Sequence, residues 1–128
     1  MEFVSFEIAE KLKEKGYPQV KQNTLAMYDE LGRWYSMVET IDEAYSFEDF
    51  DEYDCVCPVI SQVLKWLREE KNIYVSIFID DDSDCPVTYE IYKGTECMHT
   101  HHGEYFTLKD WNKCELRAID YVLNNLIS

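Results

Sequence analysis

Between Asn72 and Gly94 the chain alternates in a way that suits a pair of β-strands and little else. Ile73, Val75, Ile77 and Ile79 place four β-branched residues on every second position. Such alternation turns one face of a pleated strand to a core and the other to water, and β-branched side chains fit that surface. Residues 80–86 have the composition of a turn, and Val87, Tyr89 and Ile91 return with the same period. Gly94 ends this strand, and residues 97–106 read as a third. Strands joined by connections this short pair antiparallel.

Helical periods surround the strands. Ser5 is a suitable N-cap for a first helix in which Phe6, Ile8, Ala9 and Leu12 recur at helical spacing. Lys11, Lys13 and Lys15 load its C-terminal end, and Gly16 and Pro18 stop it. A second helix opens at Pro58, with Val59, Ile60, Val63, Leu64 and Leu67 as its apolar stripe and Asn72 as a left-handed stop. In the last helix Thr107 and Asp110 have capping-box spacing. Trp111, Cys114, Ala118, Val122 and Leu126 then share a face, widened by Ile119 and Leu123. Residues 24–38 read as a hairpin turning at Gly32, with a helix over residues 25–31 as the competing reading.

Residues 39–54 carry eight acids and no Lys or Arg, and read as an irregular connection or a short acidic helix. Together with the turn at residues 80–86 they hold twelve of the 26 acids, and the whole chain has a formal net charge of −14. A field of that sign repels phosphate backbones and anionic lipid, so direct nucleic-acid or membrane binding is not expected, and a basic protein partner, a cation or solubility alone stays open. No apolar run is long enough for a membrane span, and the N-terminal residues do not have the form of a signal peptide. The five cysteines are an odd number without framework spacing, so reduced thiols in a cytoplasm are expected.

The expected fold is α+β: an antiparallel sheet of hairpins with about three helices packed on one face, residues 1–128 forming a single domain. The segments PVISQVLKWLREEKNIYVSIFID, VTYEIYKG and AIDYVLNNLI, within residues 57–127, resemble a group of short uncharacterised proteins. That group belongs to gut Bacteroides-type bacteria and their phages or mobile elements. The resemblance implies an α+β fold and a phage-related origin, and it brings no catalytic motif and no site residues.

Four groupings have residue types that carry chemistry. Cys97, His99 and His101 alternate, so on a regular strand they share a face and are the candidate metal ligands, with Cys114 as a fourth. Same-face neighbours on one strand stand about 7 Å apart, which works against convergence. Asp80, Asp82 and Asp84 match the first positions of a calcium loop, but Cys85 stands where Gly is needed and Ile91 where a bidentate Glu belongs. A solvated turn whose Asp side chains cap backbone amides is the plainer reading. Cys55 and Cys57 precede a helix start, where a thiol is activated, yet nearby acids oppose a thiolate. Cys85 or Cys114 would pair with a histidine only by chance proximity, because no nucleophile elbow, phosphate loop or HExxH stretch is present.

No cofactor and no catalytic residue are expected on this reading. The chain reads as a non-enzymatic accessory or protein-interaction domain. Its alternatives are an acidic DNA mimic that inhibits a nucleic-acid-binding protein, and a metal-dependent enzyme using Cys97, His99 and His101.

Overall fold

The computed structural model describes residues 2–19, 25–36, 54–80, 83–100 and 104–127. The fold is α+β, with three helices and two antiparallel three-stranded sheets among the described residues. The chain divides into two compact units, Phe3–Val59 and Ile60–Ser128.

In the first unit, helix α1 spans Phe6–Glu14. Its cap is the expected one: the Ser5 hydroxyl accepts from the Ile8 N–H at 3.3 Å. Strands β1 (Ala26–Tyr28) and β2 (Trp34–Ser36) form the expected hairpin, which excludes the helix over residues 25–31. Asp29 organises the turn, its carboxylate accepting from the Leu31 and Arg33 N–H groups at 2.9 Å each and from Arg33 Nε at 2.6 Å. Gly32 has φ of 82°, and a Cβ there would lie 2.8 Å from the Phe6 ring, so both conformation and space require glycine.

A third strand, β3 (Cys55–Val56), pairs with β1 to give the order β2-β1-β3. Sequence periodicity misses it, because two residues define no period. Ile8, Ala9 and Leu12 of α1 are buried with Met27, Cys55 and Val56 in this unit's core. Of residues 39–54 only Asp54 is described, so the conformation expected for that acidic segment lies outside the described residues. Asp54 itself accepts from the Tyr35 hydroxyl at 2.6 Å, and its carbonyl accepts from Lys13 Nζ at 2.9 Å.

In the second unit, α2 (Ile60–Lys71) leads through Asn72, at φ 55°, into β4 (Ile73–Ile79), then β5 (Val87–Lys93) and β6 (Glu96–Thr100). The order is β4-β5-β6, with Val75 opposite Ile91 and Ile77 opposite Tyr89. α2 packs against β4, and α3 (Trp111–Asn125) against β5 and β4. The core joins Val63 and Leu67 of α2, Ile73, Val87, Tyr89 and Ile91 of the sheet, and Cys114, Ala118, Ile119, Val122 and Leu123 of α3. Burying each large side chain here is worth about 1.5–3 kcal/mol, so this shared interior is what holds α2 and α3 to the sheet.

Three boundaries differ from expectation. The second helix starts at Ile60 and not at Pro58, because the Pro58 carbonyl accepts from the Val4 N–H and Val59 bridges Phe3. The third strand begins one residue early, at Glu96, and is described to Thr100; residues 101–103 of the expected strand lie outside the described residues, and Phe106 makes an isolated bridge to Val87. Thr107 sits at the cap position but its hydroxyl makes no cap bond; a 3-10 turn, Leu108–Asp110, starts α3 instead, closed by the Asp110 N–H on the Thr107 carbonyl at 3.0 Å.

Candidate functional site

The proposed metal ligands are separated by an irregularity in β6. His99 lies opposite Ile91 and Cys97 opposite Tyr92, so two steps on β6 match one step on β5 and Met98 is the extra residue. Ile91 and Tyr92 are consecutive and point to opposite faces of the sheet. The bulge therefore places His99 on the core side and Cys97 on the other, where it is exposed. His101 lies outside the described residues. Cys114, the fourth candidate, is buried on α3. Among the described residues no three His, Cys, Asp or Glu side chains are placed to hold a metal ion.

His99 is instead part of an aromatic and polar cluster. Its ring stacks on Tyr121 of α3 with centroids 3.7 Å apart and an angle of 18°, and Tyr89 lies 5.8 Å away at a tilt. The buried Tyr89 hydroxyl donates to Glu104 at 3.4 Å, Arg117 meets the other Glu104 oxygen at 3.3 Å, and the Thr88 hydroxyl donates to the Glu104 carbonyl at 2.9 Å. Burial, reinforced by the Glu104 carboxylate, pushes the Tyr89 phenol up to about 12. Cys114 is likewise pushed up to about 12, by burial and then by Glu115 and Glu104. The raised values favour the neutral forms of both groups, and the cluster ties the sheet to α3 through the His99–Tyr121 stack and the Glu104–Arg117 pair.

The other cysteines divide by exposure. Cys55 belongs to β3, and the buried Cys57 donates to the Val4 carbonyl at 3.6 Å. Burial pushes both thiols up to about 11, and helix α2 begins beyond them, so activation by a helix start does not arise. Cys85 is exposed in the turn after β4, where its N–H donates to the Ser83 hydroxyl at 3.2 Å.

That turn, one of the two acidic segments of the sequence, belongs to a second feature whose apolar part sequence reading did not identify. The Asp80 N–H donates to the Pro86 carbonyl at 2.9 Å, closing the turn, and the Tyr105 hydroxyl donates to the Asp80 carboxylate at 3.3 Å. Asp81 and Asp82 lie outside the described residues, so a calcium-loop arrangement has no described counterpart. Beside the turn, Ser83, Asp84, Pro86, Thr107, Leu108 and Lys109 line a shallow cleft of about 570 Å³. Three large apolar side chains at this end of the unit face water: Ile79 is 61% exposed, Leu108 59% and Tyr105 39%. The only sequence signal was that Leu108 is an apolar residue placed between a cap residue and a helix, where packing does not require one.

Comparison with protein-family models, curated proteins and solved structures finds no match. Among the described residues no helix is long and apolar enough to cross a membrane.

Proposed function

We propose that the chain is a non-enzymatic accessory domain of phage-related origin that binds a basic protein segment at the end of its second sheet. The observation that carries this reading is the juxtaposition of exposed Ile79, Tyr105 and Leu108 with the carboxylates of Asp80 and Asp84. Exposed apolar groups rimmed by charge are the usual composition of a recognition surface. The acids select a Lys- or Arg-bearing partner, and the net charge of −14 steers it inward. The groups with catalytic potential support the reading from the other side. His99, Tyr89 and Glu104 are engaged with one another and with α3, and the buried thiols stay protonated.

The test uses fluorescence anisotropy with a panel of Lys- and Arg-rich peptides carrying interspersed Leu or Phe. Binding is expected to weaken as salt rises, because the attraction between partners is screened. It is also expected to weaken by about tenfold, or about 1.4 kcal/mol, when Leu108→Glu removes the apolar contact. Binding that ignores both salt and Leu108→Glu contradicts the proposal.

A further inference from the structure

The two edges of the β4-β5-β6 sheet are treated differently by the sequence. β6 is five residues long, carries Glu96 and is broken by the bulge at Met98. Short length, charge and a bulge are the means by which proteins keep a sheet edge from pairing. β4 has none of these. It is seven residues, Ile-Tyr-Val-Ser-Ile-Phe-Ile, without a charge, a proline or a register shift, and among the described residues β5 is its only ladder partner.

The strand is also close to a palindrome. Read from either end it gives β-branched, aromatic, β-branched, Ser, β-branched, aromatic, β-branched. An antiparallel pair of identical strands related by a two-fold axis at Ser76 sets residue i against residue 152 − i. Ile73 then meets Ile79, Tyr74 meets Phe78, Val75 meets Ile77, and Ser76 meets itself. Aromatic and β-branched cross-strand pairs are the favourable ones, and isologous contacts need this self-complementarity. Charge agrees. No like charges face each other along the strand, and just beyond it the Asn72 amide comes opposite Asp80 of the second copy. Tyr74 is 42% exposed and Ser76 is exposed, so the middle of the strand is accessible.

We infer that β4 is a self-association edge, joining two copies of the chain into one antiparallel six-stranded sheet about Ser76. One strand edge falls short of the roughly 800 Å² per partner of a standard interface, so the dimer is weak and concentration-dependent. Two copies of net charge −14 repel, and screening that repulsion tightens the pairing as salt rises. The basic-segment binding proposed above has the opposite salt dependence, so the two ideas fail separately.

Sedimentation velocity on the full chain, over roughly a hundredfold range of concentration and at low and high salt, reads the equilibrium directly. A monomer–dimer equilibrium favoured by salt is expected. Ser76→Lys should weaken it by about tenfold or more by setting like charges face to face, whereas Met98→Lys on the other edge should leave it unchanged. A second measurement does not depend on the Lys variant folding. In a Cys85→Ser/Cys97→Ser background, Ser76→Cys should be joined into a covalent dimer by a short bismaleimide. A chain that stays monomeric throughout, a dimer indifferent to Ser76→Lys, or an absence of cross-linking at Ser76→Cys overturns the inference.

Discussion

The cluster around Glu104 and the end around Leu108 are built from neighbouring residues, yet they use them in opposite ways. In the first, each polar group named above has a partner inside the unit: Tyr89 and Arg117 on Glu104, and His99 against Tyr121. In the second, Ile79, Tyr105 and Leu108 leave apolar surface in water beside the carboxylates of Asp80 and Asp84. On the function proposed above, the histidine and thiol groups around Glu104 serve stability, and the apolar side chains beside Asp80 and Asp84 form the surface offered to a partner. Changes in the first region are expected to move stability and not binding, and changes in the second to do the reverse.

The largest effect is expected beneath the cluster. Ile91→Ala empties a fully buried position under His99 and should cost about 2–5 kcal/mol in urea unfolding, while peptide affinity of the folded fraction stays unchanged. Alkaline pH gives a second separation. Cys114 rises from 9.0 to about 12 and Tyr89 from 10.0 to about 12 in the folded chain, so the fold favours their neutral forms. That stabilisation is complete below about pH 9 and is lost as pH climbs towards 12. Unfolding midpoints should fall across that window, and Cys114→Ala should flatten the fall even though it lowers the starting stability.

Smaller effects follow at the rim. His99→Ala removes the stack on Tyr121 and should cost about 1 kcal/mol. It should leave the metal content of purified protein unchanged, whereas a fall in bound metal would revive His99 as a ligand. Arg117→Ala breaks a half-exposed ion pair and should cost less than about 1 kcal/mol, since solvent screens such pairs. A much larger loss would mean that the Glu104 cluster is tighter than its exposure implies.

How far the sequence revealed these regions depends on whether a feature has a period. The β4–β5 hairpin and the helices α1, α2 and α3 were legible because their apolar residues repeat over two or more turns or pleats. Ser5, Asn72 and Gly32 were legible because cap and turn chemistry is local. Strand β3 was not, since two residues carry no pattern, and neither was the bulge at Met98, since nothing local distinguishes an extra residue from a regular one. That one residue separates Cys97 from His99, and with them the metal reading that regular alternation suggested. Exposure of Ile79 was hidden for a related reason: it continues the inward phase of Ile73 and Val75, and its partner Val87 on the central strand is fully buried, but Ile79 itself stands at the end of the edge strand.

The most direct measurement compares two charge reversals of equal size. Asp80→Lys/Asp84→Lys and Glu69→Lys/Glu70→Lys each exchange two exposed acids for two lysines, the first at the Leu108 end and the second on α2. Titrated with the same Lys- and Arg-rich peptide at the same salt, the first should lose about tenfold or more in affinity and the second should stay close to the unaltered chain. Equal losses in both would show that the peptide responds only to net charge, and would contradict a recognition surface at the end of the second sheet.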